Sequence, residues 1–226
     1  EDRYGKEIVE QGGLQVTTSL DLDLQTQAQM AVAQEIDKVK SVKITNGGAV
    51  VIDSPTGQIL AMVGSRGWED ENYDGKFNVT TAIRQPGSAI KPVVYLTGLQ
   101  KGYSAATLLM DTQTSFPGGD KPEYVPENYD GKFRGDVTLR RALANSLNVP
   151  AVELLNKVGV ADAVDLAKDM GITTLTDPNR YGLSLVLGGG EVELFELTRA
   201  YGVLATGGEL VPSHPILSIE DKLGKK

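Results

Sequence analysis

Two apolar runs of strand length, Gly48-Ala-Val-Val-Ile-Asp53 and Gln58-Ile-Leu-Ala-Met-Val63, flank Ser54-Pro-Thr-Gly57, which carries proline and glycine where a tight turn needs them. They read as a β-hairpin, and its near-continuous hydrophobicity predicts burial on both faces. The rest of the chain must supply the cover, and its periodicity is mostly helical. Upstream, Leu14 to Leu20 alternates as an edge strand, after a polar stretch over residues 1–13 that has the character of a linker. From Asp21 the period changes. Leu22, Leu24, Ala28, Ala31, Val32 and Ile36 mark one helix face, with Asp21 or Asp23 as its cap, and the pattern fades near Lys40. Beyond a polar loop over 65–81, helical patterns run from Ser88 to about Lys101, from Thr138 to Asn145, and from Pro150, suited to a first helical position, to Val158. Two more cover Ala161 to Met170 and Val192 to Thr206, the last stopped by Gly207-Gly208. Asp111 to Asp136, rich in Asp, Gly, Pro and aromatic residues, is a long loop. The order is β-α-β-β followed by mostly helix, which predicts an α+β protein.

A net charge of −8, from 30 acidic and 22 basic residues without a Lys/Arg stripe, argues against nucleic acid as a partner. The chain has no cysteine, which removes disulfides, thiol catalysis and Cys-based metal sites together, so any nucleophile is an oxygen or a lysine. Its one histidine, His214, lies in the extended or turn stretch Val211-Pro-Ser-His-Pro. A surface or edge-strand role fits it better than membership of a Ser-His-Asp triad, since serine enzymes with a lysine base exist. At 226 residues the chain can bury a sizeable core, as one domain or one and a fraction. No apolar run approaches the ~18 residues a membrane span needs. The start, Glu1-Asp-Arg-Tyr-Gly-Lys, has no signal-peptide pattern, and the abrupt ends suggest a piece of something longer.

The most informative stretch is Arg84-Gln-Pro-Gly-Ser-Ala-Ile-Lys-Pro92. Pro86-Gly87 breaks the preceding segment, so Ser88 falls at a helix start with Lys91 about one turn on and on the same face. A serine hydroxyl is a weak nucleophile until something accepts its proton, and an ordinary lysine is already protonated at neutral pH. Burial beside Ile90 and Val94, with the positive end of the helix dipole, would favour the neutral amine, and the Ser88 N–H is placed to stabilise an oxyanion. Ser-x-x-Lys by itself is a weak signal whose plain alternative is a serine cap followed by an exposed lysine. Pro92 adds weight, because a proline there is tolerated only close to a helix start.

A second element, Ser146-Leu-Asn148, lies between two helical stretches. Its hydroxyl could relay a proton between Lys91 and a leaving amine, and its carboxamide could bind Lys91 and a substrate amide; the plain alternative is a set of capping residues. The heptapeptide Glu71-Asn-Tyr-Asp-Gly-Lys-Phe77 recurs identically as Glu127-Asn-Tyr-Asp-Gly-Lys-Phe133, and each copy precedes one of the two serine motifs. The two loops are expected either to line the rim of one cleft or to be two unrelated aromatic-flanked Asp-Gly turns.

With these residues in place the chain resembles the transpeptidase domain of class A, bifunctional penicillin-binding proteins, a superfamily whose established signature is Ser-x-x-Lys with Ser-x-Asn and Lys-Thr-Gly elements. The likeness extends over Gly12 to Asp21, Gly48 to Gly64, Arg84 to Ser88, Val137 to Pro150 and Leu187 to Gly208, in the family's order. It implies the serine β-lactamase/transpeptidase fold, an antiparallel sheet flanked by helices with a large helical subdomain, over residues 14–226. It implies that Ser88 attacks the penultimate D-alanine carbonyl of a peptidoglycan stem peptide and hands the acyl group to an amine of a neighbouring strand. Lys91 would be the base, Ser146 the proton relay and Asn148 the binder of the substrate amide, with neither cofactor nor metal. β-Lactam antibiotics would trap Ser88 as an ester, and the site would face the extracytoplasmic side of the bacterial membrane.

The likeness breaks at the third element. Neither Lys-Thr-Gly nor Lys-Ser-Gly occurs in the 226 residues, so the C-terminal strands of the fold are expected to be missing and to come from a second chain or fragment. Two alternatives share Ser-x-x-Lys. One is a serine β-lactamase, for which Glu153-Leu-Leu-Asn156 is one residue short of a deacylation motif; the other is a non-catalytic β-lactam-binding relative.

Overall fold

A computed structural model of the chain describes residues 5–11, 13–71, 75–116, 123–222 and 224. In chain order its elements are α1 (Lys6–Gln11), β1 (Gln15–Thr18), α2 (Leu22–Lys38), β2 (Ala49–Ile52), β3 (Ile59–Val63), β4 (Ile83–Arg84), α3 (Lys91–Gln100), β5 (Leu108–Asp111) and β6 (Gly135–Thr138). They continue with α4 (Leu139–Ala144), α5 (Asn148–Val158), α6 (Val160–Asp169), β7 (Val192–Glu193), α7 (Leu194–Ala205) and β8 (Ile216–Glu220). The strands pair two by two and antiparallel, β1 with β8, β2 with β3, β4 with β7 and β5 with β6, within the expected α+β class. The chain divides into two compact units, residues 1–81 with 201–226, and residues 82–200.

The first unit holds the hairpin. Gly57, at φ +77°, closes the turn with its N–H on Asp53 O at 2.7 Å, a left-handed position that glycine takes without strain. Asp21 caps α2 through Leu24 N at 2.9 Å, and Gln25 reaches sideways to pair with both backbone groups of Met62 in β3, at 2.8 and 3.1 Å. Burial is less than the sequence predicts: Ala61 and Val63 are buried, and the other hairpin residues are half-buried. Among the described residues β2 and β3 form a ladder only with each other, and the other edge of β3 is covered: the Asp21 N–H donates to Leu60 O at 2.9 Å, the Ile59 N–H donates to His214 O at 3.2 Å, and Gln25 holds Met62. Residues 6–11, expected within a polar linker, form the short helix α1.

The second unit is built around α5. Val149, Ala151, Val152, Leu154 and Leu155 are fully buried, so this helix is apolar nearly all round. Each such Leu or Val contributes about 1.5–3 kcal/mol from burial. α3 packs closely on it because Gly98 has no side chain; a Cβ there would lie 3.1 Å from Leu154 Cδ1. The sequence pattern did not reveal β5 and β6. They pair the two ends of the long loop, Asp111 opposite Gly135, and the partner that makes Leu108–Asp111 a strand lies more than twenty residues away.

No described helix is long and apolar enough to cross a membrane.

Candidate active site

The sequence predicts a helix from Ser88, but Gly87–Ile90 is a single 3-10 turn and α3 starts at Lys91. Pro92 supplies the reason. An α-helix beginning at Ser88 would need the residue 92 N–H to bond Ser88 O, and proline has none. The Lys91 N–H bonds Ser88 O instead, which is the tighter 3-10 pattern. With three residues per turn, positions 88 and 91 eclipse on one face. The turn rests on backbone: Gly188, at φ +90°, passes so close that a Cβ there would stand 2.3 Å from Gly87 N. Sequence reasoning gave Gly188 no role, and its one signal was the run Gly188-Gly189-Gly190.

Ser88 is exposed, and among the described residues its hydroxyl has no hydrogen-bond partner. Lys91 is fully buried. Its Nζ faces Ser146 O at 2.7 Å, Asn148 Oδ1 at 2.8 Å, Ser146 Oγ at 3.2 Å and Leu147 O at 3.3 Å. Ser146 and Asn148 are therefore brought to Lys91 from 55 and 57 residues away. Every one of these partners is a neutral oxygen, and among the described residues no carboxylate comes within ion-pair distance. Burial, unopposed by a negative charge, lowers the Lys91 amine to about 8.

The Ser146 turn carries a signature of its own. α4 ends at Ala144, after which the Ser146 N–H bonds Leu143 O and the Leu147 N–H bonds Ala142 O, both at 2.9 Å. This is a Schellman termination, and its left-handed position normally belongs to glycine. Ser146 occupies it at φ +51°. A non-glycine residue there costs about 1–2 kcal/mol, and it carries a hydroxyl to the buried amine that glycine could not. Asn148 opens α5 two residues before Pro150, the expected start, and its Nδ2 donates to Glu127 O at 2.9 Å, which turns Oδ1 toward Lys91.

Other sequence candidates fall elsewhere. Glu153 accepts from Met110 N at 2.6 Å and pairs with Lys157 at 2.7 Å. His214 belongs to the other unit, where its backbone bonds Gly57 O and Ile59 N as an edge residue and its Nδ1 lies 3.3 Å from Pro212 O. The first copy of the repeated heptapeptide lies partly, over residues 72–74, outside the described residues, so the shared rim expected of the two copies does too.

A helical body that presents a serine on a 3-10 turn, a buried lysine three residues on, and a second serine and an asparagine from another turn carries the Ser-x-x-Lys and Ser-x-Asn elements of the penicillin-binding proteins. The family model "Penicillin binding protein transpeptidase domain" matches residues 47–226. The chain belongs to that family, as the sequence resemblance led us to expect. It is 36% identical over 188 residues to penicillin-binding protein 1A of Rickettsia felis, covering 83% of this chain and 23% of that protein. It is 33% identical over 227 aligned positions to penicillin-binding protein 1B of Vibrio cholerae, covering 99% and 29%. The chain thus spans about a quarter of the length of these curated relatives. Among solved structures, penicillin-binding protein 1A from Haemophilus influenzae superposes with a TM-score of 0.85 at 21% identity, over 99% of this chain and 47% of that one. PonA1 from Mycobacterium tuberculosis in complex with penicillin V gives 0.82 at 22% identity, over 99% and 60%. Both support the same fold.

Proposed function

We propose that this chain carries the acyl-transfer site of a peptidoglycan D,D-transpeptidase, with Ser88 as nucleophile, Lys91 as base, Ser146 as proton relay and Asn148 as binder of the substrate amide. The observation that carries this reading is the Lys91 amine, buried among neutral oxygens and lowered to about 8. A neutral amine has two N–H groups and one lone pair. Donation to Ser146 O and Asn148 Oδ1 uses both hydrogens and leaves the lone pair for a hydroxyl proton.

In the acylation step Ser88 Oγ attacks the carbonyl of the penultimate D-alanine of a stem peptide while its proton passes to Lys91 Nζ. The Ser88 N–H, among the first donors of its turn and without a partner inside it, stabilises the oxyanion. Collapse breaks the C–N bond, and the departing amine takes its proton through Ser146 Oγ, within 3.2 Å of Lys91 Nζ. An amine from a neighbouring strand then attacks the ester, and the same relay restores the Ser88 hydroxyl. A β-lactam opens along the same path, but its leaving amine stays tethered and the ester persists. A hydrolytic fate, as in a serine β-lactamase, would need a group that activates water beside the ester. Glu153 is committed to Met110 N and Lys157 and is a poor candidate.

This reading places the protein on the extracytoplasmic face of the bacterial membrane and calls for a strand bearing Lys-Thr-Gly or Lys-Ser-Gly beside the site, a tripeptide that none of these 226 residues supplies. Intact mass after benzylpenicillin is the test, on wild type and Ser88→Ala, with and without the polypeptide carrying that strand. A single stable adduct on wild type, absent from Ser88→Ala, is expected. An adduct that survives Ser88→Ala removes Ser88 as the nucleophile, and full labelling of the 226 residues alone removes the need for that strand.

A further inference from the structure

The residue preceding α5, the helix that opens with Asn148, does not cap its first turn. Leu147 stands at the N-cap position with extended geometry and has no oxygen in its side chain to offer. The cap comes from a loop twenty residues away. Asn128 Oδ1 accepts from the N–H groups of Asn148 at 2.8 Å and Val149 at 3.3 Å. Asn128 is buried, and its Nδ2 donates to Asp111 Oδ1 at 2.6 Å and to Lys132 O at 2.8 Å. Asp111, fully buried at the end of β5, is held by Arg134, the residue just before β6: its Oδ2 takes the Arg134 N–H at 3.1 Å and lies 3.7 Å from the guanidinium.

We propose that the Asp111–Asn128 pair positions the acylation site, by fixing the start of α5 and with it the Asn148 carboxamide that holds Lys91. The inference rests on the acyl-transfer reading above. Its logic is one of hydrogen-bond polarity. Both Asp111 oxygens accept, Oδ2 from the Arg134 N–H and Oδ1 from Asn128, so Asp111 demands the NH2 side of the Asn128 amide and forces its oxygen toward α5. Reversed, the amide would set donor against donor at the helix start and oxygen against oxygen at Asp111. The neighbouring carbonyl, Glu127 O, fixes the Asn148 side chain in the same way, by taking its Nδ2. Two consecutive residues of the repeated heptapeptide thus hold both the backbone and the side chain of the residue that faces Lys91, through a network whose two buried members, Asp111 and Asn128, are paired at every polar side-chain atom. The β5–β6 pair is the base on which that network stands.

The test separates the rate of acylation from the fraction of protein able to react, using the full-length protein and a fluorescent penicillin. In Asn128→Ala the first-order acylation constant is expected to fall about 10–100-fold, as a misplacement near 1 Å does, while labelling still goes to completion. Asn128→Asp alone sets two carboxylates against each other and should be worse. Combining it with Asp111→Asn restores a donor opposite an acceptor at that contact, while leaving an oxygen against Lys132 O, and should recover part of the rate. A purely structural role gives another pattern: Asn128→Ala labels to a reduced end point at the wild-type rate, and the exchanged pair recovers nothing. Either of those results, or a rate within twofold of wild type in Asn128→Ala, overturns the inference. Failure of the wild type to label at Ser88 would instead overturn the functional reading itself.

Discussion

Lys91 and Glu196 are both buried ionisable side chains of the helical unit, and their surroundings treat charge in opposite ways. Burial pushes the Glu196 carboxyl up, but hydrogen bonds from Thr173 Oγ1 at 2.5 Å and from Thr174 N and Oγ1 at 3.1 and 2.6 Å more than reverse this and leave it below its ordinary value. Its charge is needed, because it ties the Thr173-Thr174 loop to α7. Around Lys91 burial acts unopposed, and the oxygens that receive Nζ are neutral. The protein therefore invests in the charged form of one group and makes the charge of the other dispensable, and only the second arrangement suits proton transfer near neutral pH.

The contrast fails most visibly if Lys91 is not the base. Lys91→Met is expected to slow acylation by benzylpenicillin by about 10³-fold or more, within the range of general-base effects, measured as the rate of adduct formation by mass spectrometry. A rate within tenfold of wild type would make Lys91 structural, like Glu196. The reciprocal change, Glu196→Ala, leaves three donors without their carboxylate and should destabilise the fold by about 3 kcal/mol, seen in urea unfolding, while the protein that remains folded acylates at the wild-type rate.

Ser146→Gly sharpens the comparison. Relief of the left-handed strain at φ +51° should raise Tm by about 2–8 °C, while loss of the hydroxyl slows acyl transfer about 100-fold. Stability and activity moving apart would show that the serine is kept for chemistry. A fall in both would mean the hydroxyl is a structural partner of Lys91.

The smallest effect is a shift along the pH axis. Acylation should rise with pH and level off above about 8 as Lys91 loses its proton, and Glu196→Gln should leave that midpoint in place. The stability contributions have their own signs. The Lys91 value lies below that of the free side chain, so unfolding takes up a proton between about 8 and 10.5, and this group's drag on stability is full below that window and gone above it. The support from Glu196, whose value is also lowered, is full above the ordinary 4.5 and is lost as pH falls through its folded value. Unfolding free energies measured across both windows, on wild type and on each single variant, would assign the two slopes.

Local rules were enough to read the hairpin turn at Gly57, a cap at Asp21 or Asp23, the stop at Gly207-Gly208 and the two serine motifs, because each depends on residues within about one turn of each other. They were enough for the family as well, since Arg84 to Pro92 and Leu143 to Pro150 are contiguous. Pro92 even encoded the 3-10 turn, though only the coordinates showed that it tightens the turn at Ser88. What tertiary structure decided is everything that crosses the chain. It brought Ser146 and Asn148 to Lys91, paired the two ends of a long loop, gave α5 its cap from Asn128 and seated Gly188 against Gly87. A hydrogen bond or a close backbone approach between residues tens of positions apart leaves no period or spacing in the sequence, and burial, which lowers the Lys91 amine to about 8, belongs to the assembled core and to no segment of it.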